Sequence, residues 1–178
     1  VPGKGSPDGT HKEYRWSRDI CNILKPRLSG LGFKVEITNS TEKEIGLSRR
    51  KEFATKVNSK PNETKFLVSL HNNAAGMGND WANARGFEIY TSKGDTKSDE
   101  FAGVILNNLS KDFPDYKNRG LKESNFTVLM GSGYSAVLIE WLFQDNKEDV
   151  ALLKDCDINH KFIDSLIKSF LYIDDNLI

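Results

Sequence analysis

The run AVLIEWLF at residues 136–143 restricts the architecture of this chain more than any other stretch. A short, almost wholly apolar segment bounded by Gly-rich and polar sequence reads as a buried strand, and FLVSL at 66–70 reads the same way. Between them GFEIYTS at 86–92 and FTVLM at 126–130 carry the same signal. FKVEIT at 33–38 alternates like a half-buried strand. Helical spacing fills the gaps. Apolar residues recur from Tyr14 through Trp16, Ile20, Ile23, Leu24 and Leu28 until SGLG at 29–32 stops the pattern, with Pro26 placed to bend or shorten the last turn. Segments 44–59, 97–113, 147–153 and 162–173 are helical by the same criterion. Strand, helix, strand across 33–70 implies parallel pairing through a right-handed crossover. The expected fold is therefore α/β: one domain over 1–178, a mostly parallel twisted sheet flanked by helices on both faces.

Bulk properties narrow the function. Lys plus Arg equals Asp plus Glu, 25 each among 178 residues, so no global basic field draws the chain to nucleic acid. No apolar run is long enough to span a bilayer. The opening Gly/Pro loop lacks the order of a secretory signal, so the protein either is not exported or has lost its signal. Cys21 and Cys156 lie outside any CxxC pattern; two free, mostly buried thiols are expected, with a single bridge as the alternative. The stretch NAAGMGNDWANARG, 73–86, is too polar and Gly-rich for core, and loops of that length in compact domains are commonly functional.

Three polar residues stand where packing does not favour them. Glu140 interrupts the buried run, and an isolated buried carboxylate must be paired, protonated or aimed into a cavity. His71 follows FLVSL, where a strand leaves the sheet and ligands of α/β folds bind; it reads as an edge histidine or a metal ligand. Glu13 opens the first helix, where a favourable dipole contact is on its own the simpler reading. Separately, these residues do not name a reaction.

Their contexts do. PGKGSPDGTHKEYRWS (2–17), FLVSLHNNAAG (66–76), WANARGFEIYT (81–91), RGLKESNFTVL (119–129) and AVLIEWLFQDN (136–146) occur in an order and spacing that resemble zinc-dependent N-acetylmuramoyl-L-alanine amidases, peptidoglycan hydrolases of bacteria and their phages. The resemblance runs from Pro2 to about Leu153. It is strongest in the Ser-x-His-x-Asn core at Ser69, His71 and Asn73, and from Ala136 through Glu140 to Asn146. It implies that Glu13 and His71 are zinc ligands and that Glu140 is the catalytic acid/base. Asn73, Trp81 and Arg119 are implied substrate contacts, Trp81 reading equally well as an aromatic that pins its own loop. Zinc with an open coordination position acidifies water to a pKa of about 7, and a nearby carboxylate can pass the proton on.

The family's first histidine ligand precedes the Pro-Gly loop and is not among these residues. Either it lies upstream of Val1, which is the expectation, or this is a degenerate copy; His11 is a weak stand-in and His160 reads as a surface residue. Ser135 replaces a usual proline and Trp141 a usually smaller or polar residue. The implied substrate is peptidoglycan, acted on by a monomer. The implied location is the periplasm or cell wall after signal removal, or host cytoplasm before lysis for a phage endolysin. A non-catalytic peptidoglycan-binding protein and a zinc peptidase acting on stem peptides remain as alternatives.

Overall fold

The computed structural model describes residues 4–40, 44–77 and 79–178. Residues 1–3 of the expected opening loop and Gly78 of the 73–86 loop lie outside them. In chain order the elements are α1 (Glu13–Gly30), α2 (Leu47–Lys56), β1 (Phe66–Asn73), β2 (Phe87–Thr91), α3 (Lys97–Asp112), β3 (Asn118–Glu123), a 3-10 turn (Thr127–Leu129), β4 (Ser135–Phe143), α4 (Lys147–Lys154) and α5 (Cys156–Leu177). The strands form one sheet in the order β1-β4-β2-β3. β1 pairs with β4, and β2 with β3, in parallel; β2 and β4 run antiparallel. The sheet is mostly parallel, and the fold is α/β as expected.

Alternation along β4 divides the molecule. Val137, Ile139 and Trp141 face a core built with Trp16, Ile20, Leu24 and Leu28 of α1, Phe101, Ile105 and Leu109 of α3, and Phe162, Ile163, Leu166 and Phe170 of α5. The α1 residues recur at three- and four-residue spacing, so a single stripe of that helix is buried. Ala136 and Leu138 face the other way and pack with Val128 and Leu129 of the 3-10 turn, Leu67, Tyr90 and Tyr134. α2 packs on that turn. Helical structure thus covers both faces, but the second face only over the N-terminal half of β4.

Four sequence expectations need correction. Residues 33–38 form no strand. Phe33 and Val35 pack against the core, but their backbone joins no ladder among the described residues, so β1 is an edge strand and the crossover expected from 33–38 to 66–70 is not formed. FTVLM is the 3-10 turn with its flanks: Val128 and Leu129 both pack into the one cluster with Ala136 and Leu138, whereas neighbouring residues of a strand point to opposite faces. Residues 118–123 are a strand that their polar composition hides. β3 is an edge strand, and Gly120, at φ 88°, supplies an extra residue where Phe87 and Ile89 face Asn118 and Leu121. Finally, Cys156 is exposed at the start of α5 and only Cys21 is half-buried; both thiols are free. α1 continues through Pro26 to Gly30. His160 is exposed, as expected.

Candidate active site

The uncovered half of the second sheet face carries the site. Parallel register sets His71 beside Glu140, and antiparallel register sets Glu88 beside Glu140, so the three side chains leave the same face of adjacent strands. Glu13 arrives from the first turn of α1. That helix is fixed to β1 where the Ser17 hydroxyl bridges the carbonyls of Glu13 and Leu70, 2.9 Å from each.

His71 Nδ1 donates to Glu13 Oε1 at 2.8 Å, and His71 Nε2 accepts from the Ser69 hydroxyl at 2.8 Å. Glu13 is only 4% exposed, so this pairing decides its charge. Burial pushes its carboxyl up, but the bond from His71, with Lys4 at 3.9 Å and the Asn72 amide at 3.4 Å, outweighs burial and leaves it below the usual range. Glu140 has no such support. Burial raises it to about 7, with the charges of Glu13 and Glu88 adding to the effect and His71 and Lys4 opposing it. Its Oε2 is buried without a hydrogen-bond partner among the described residues. An unpartnered buried carboxyl oxygen beside a His–Glu pair is costly unless a ligand, ion or proton serves it.

Local strain shapes this end of β4. Between His71 and Asn73 the register slips by one residue, and Leu142 takes up the slack at φ 61°, a left-handed conformation rare for a branched side chain. Asn72 holds this bulge. Its Nδ2 donates to the Trp141 carbonyl at 2.8 Å, and its own carbonyl accepts from Gln144 Nε2 at 3.2 Å. His11, buried, donates through Nε2 to Asn72 Oδ1 at 2.8 Å. That bond occupies the histidine, and burial lowers its pKa, so His11 braces Asn72 and does not join Glu13 and His71.

Two expected substrate contacts meet at a residue the sequence reading missed. Asn73 Nδ2 donates to Glu88 Oε1 at 2.9 Å, and Arg119 Nε donates to Glu88 Oε2 at 2.8 Å. Glu88 carried the same signal as Glu140, a carboxylate inside a buried strand pattern, in GFEIYTS. Trp81 stands apart. It is half-buried with Lys147 over its ring at 5.7 Å, and the next residue is bonded to Asp145 and Asn146 in the β4–α4 turn. Among the described residues no hydrogen bond or ring contact links it to Glu13, His71 or Glu140, so its geometry matches the loop-pinning alternative. Asp145 also receives the amides of Ala75 and Gly76, which fixes the other end of the 73–86 loop.

The oxygen and nitrogen donors of Glu13 and His71 suit a zinc ion, but no group of three or more His, Cys, Asp and Glu residues able to hold a metal occurs among the described residues.

Comparison with known proteins agrees with this geometry. The family model described as N-acetylmuramoyl-L-alanine amidase matches residues 2–171. The chain is 29% identical over 143 residues to the probable cell wall amidase LytH of Staphylococcus epidermidis. That match covers 80% of this chain but 43% of the relative, so the chain spans less than half of that protein. Among solved structures, the fold is similar to N-acetylmuramoyl-L-alanine amidase from Clostridium difficile 630, with a TM-score of 0.87, 22% identity and coverage of 98% and 90% of the two chains. The catalytic domain of CwlV from Bacillus (Paenibacillus) polymyxa var. colistinus gives 0.84, 21%, 97% and 90%. The catalytic domain of CD27L, an endolysin targeting Clostridium difficile, gives 0.72, 25%, 96% and 87%.

Proposed function

Since the chain belongs to the N-acetylmuramoyl-L-alanine amidase family, we propose that it hydrolyses the amide between the lactyl group of N-acetylmuramic acid and L-alanine in peptidoglycan. The observation that carries this reading is Glu140, held beside His71 in the ladder with one buried oxygen unpartnered and its pKa raised to about 7. A carboxyl of that pKa can both accept and return a proton near neutral pH, as amide hydrolysis requires. Glu140 takes the proton of the attacking water and delivers it to the departing L-alanine nitrogen. His71, one strand away, and Glu13, on α1, orient the reacting groups.

Glu13 and His71 are two of the ligands of a zinc ion in this reading. When bound, such an ion supplies Lewis-acid polarisation of the scissile carbonyl and acidifies water to a pKa of about 7. Asn73 and Arg119 contact substrate. Trp81 pins its loop. The enzyme acts as a monomer in the cell wall or periplasm, or on the host wall during phage lysis.

The test is mass spectrometry of purified peptidoglycan digested with zinc-supplied protein, both as these 178 residues and as a polypeptide extended upstream, with metal content measured on each. New L-alanine amino termini, one zinc per extended chain and loss of release in Glu140→Gln are expected. Cleavage between amino acids would instead identify a stem-peptide peptidase. Binding to peptidoglycan without cleavage by the extended, metal-loaded chain would identify a non-catalytic wall-binding protein.

A further inference from the structure

Glu88 is the most heavily engaged side chain on the site face. Oε1 accepts from Asn73 Nδ2 at 2.9 Å and from the Tyr90 hydroxyl at 2.7 Å; Oε2 accepts from Arg119 Nε at 2.8 Å and Lys122 Nζ at 2.6 Å. A carboxylate has about four acceptor positions, so this one is saturated. It can neither take a ligand nor serve readily as an acid. Its two cations differ from it in access: Glu88 is 3% exposed, whereas the side chains of Arg119 and Lys122 are 27% and 38% exposed. Two cations against one buried anion leave one surplus positive charge at the surface. Arg119 spends only its Nε–H on Glu88 among the described residues, so its terminal NH2 groups remain available as donors. Aromatic rings fix both heads: Arg119 lies 5.0 Å from the Phe143 centroid and Lys122 5.7 Å from that of Tyr90.

From these contacts we propose that Arg119 and Lys122 form a subsite for a substrate carboxylate, with Glu88 as the positioning residue that holds them. The inference rests on the amidase reading and deepens it by naming what the peptide side of the substrate must carry. Glu88 and Glu140 are directly opposed in the β2–β4 ladder, and the cationic heads reach Glu88 from β3 on its other side, so they lie one to two strand spacings, about 5–10 Å, from the catalytic carboxyl. Extended peptide advances about 3.3–3.6 Å per residue. The carboxylate recognised is therefore one to three residues beyond the scissile amide. Bidentate donors of a guanidinium suit a carboxylate, with the lysine as a second point charge.

Calorimetric titration of the chain carrying Glu140→Gln, which suppresses turnover, tests this with two probes. They are N-acetylmuramoyl-L-alanyl-D-isoglutamate with a free α-carboxylate and the same compound with an α-carboxamide, the other glutamate carboxyl being blocked as its methylamide in both. At low salt the carboxylate form is expected to bind at least about tenfold more tightly, within the range for charge-assisted hydrogen bonds. Added Arg119→Gln or Lys122→Gln should cut that ratio below about threefold, and Glu88→Gln should reduce it although both cations remain. Arg119→Lys should restore part of it. Melting curves separate these effects from unfolding. Equal affinity for the two probes, or an unchanged ratio in the variants with only a lowered melting temperature, overturns the subsite and leaves the amidase reading standing. Failure of both probes to bind overturns the two together.

Discussion

The two faces of the sheet use the same strand for opposite ends. On one, Val137, Ile139 and Trp141 are each 0% exposed among helix side chains. Trp141 stacks on Phe162 at 4.4 Å and contacts Phe87, Phe113 and Tyr116. On the other, the intervening positions begin apolar at Ala136 and Leu138 and end at Glu140, which meets His71 and Glu88. The first face gains stability from buried area and close packing. The C-terminal end of the second gathers buried carboxylates whose desolvation costs stability unless partners offset it. Its position is dictated by the fold: the rigid face fixes where β4 ends, and that end places the carboxylates.

The sharpest way to break this comparison is to remove one residue from each side of the strand. Glu140→Gln should lower amidase turnover by about 10²- to 10⁴-fold, the usual contribution of a positioned general acid/base, with little change in the circular dichroism spectrum. Trp141→Ala should do the reverse. Loss of a fully buried aromatic typically costs about 3–5 kcal/mol, seen as a lower denaturant midpoint, while protein that remains folded keeps Glu13 paired with His71. If Trp141→Ala left stability unchanged, the packed face would not be what supports β4.

The packed face was the more legible in the sequence. Periodicity located α1, α3 and the strands at 66, 87 and 135 because burial on one side leaves a regular imprint. It failed where geometry is irregular or marginal. Residues 33–38 alternate correctly but pair with no strand among the described residues, and β3 hides its strand character behind an edge position and Gly120. At the site, Glu140 and His71 stood out because each contradicts its surroundings, and the family resemblance gave them and Glu13 their roles. Asn72 and His11 had no such mark on their own, and that of Glu88 went unread. Their function is relational: Asn72 matters because β4 bulges at Leu142, and Glu88 because β2 runs antiparallel beside β4. A sequence does not display which strands become neighbours.

Titration sharpens the comparison further, since the two carboxylates opposed across β2 and β4 respond to pH in opposite senses. Glu140, raised to about 7 by burial, favours the folded state when protonated. Its contribution is complete below the unfolded value of 4.5 and is lost as pH rises through about 7. In metal-free protein, the stability of Glu140→Gln relative to the parent should therefore increase by on the order of 2 kcal/mol between pH 5 and pH 8, read from urea midpoints.

Glu88 should show the smaller and inverse effect. Burial alone would raise it, but the bonds from Lys122, Tyr90 and Arg119 prevail and hold it near 2. Its contribution is therefore present above 4.5 and disappears as pH falls toward about 2. Because both cations are partly exposed and screened by salt, about 1 kcal/mol is a realistic size, below what the shift alone implies. Glu88→Gln should flatten the acid limb of the stability profile between pH 4.5 and 2, and should do so less at high salt. An acid limb that stays as steep in this variant would mean that Arg119 and Lys122 are held by something other than the Glu88 charge, and the contrast between the two carboxylates would then rest on Glu140 alone.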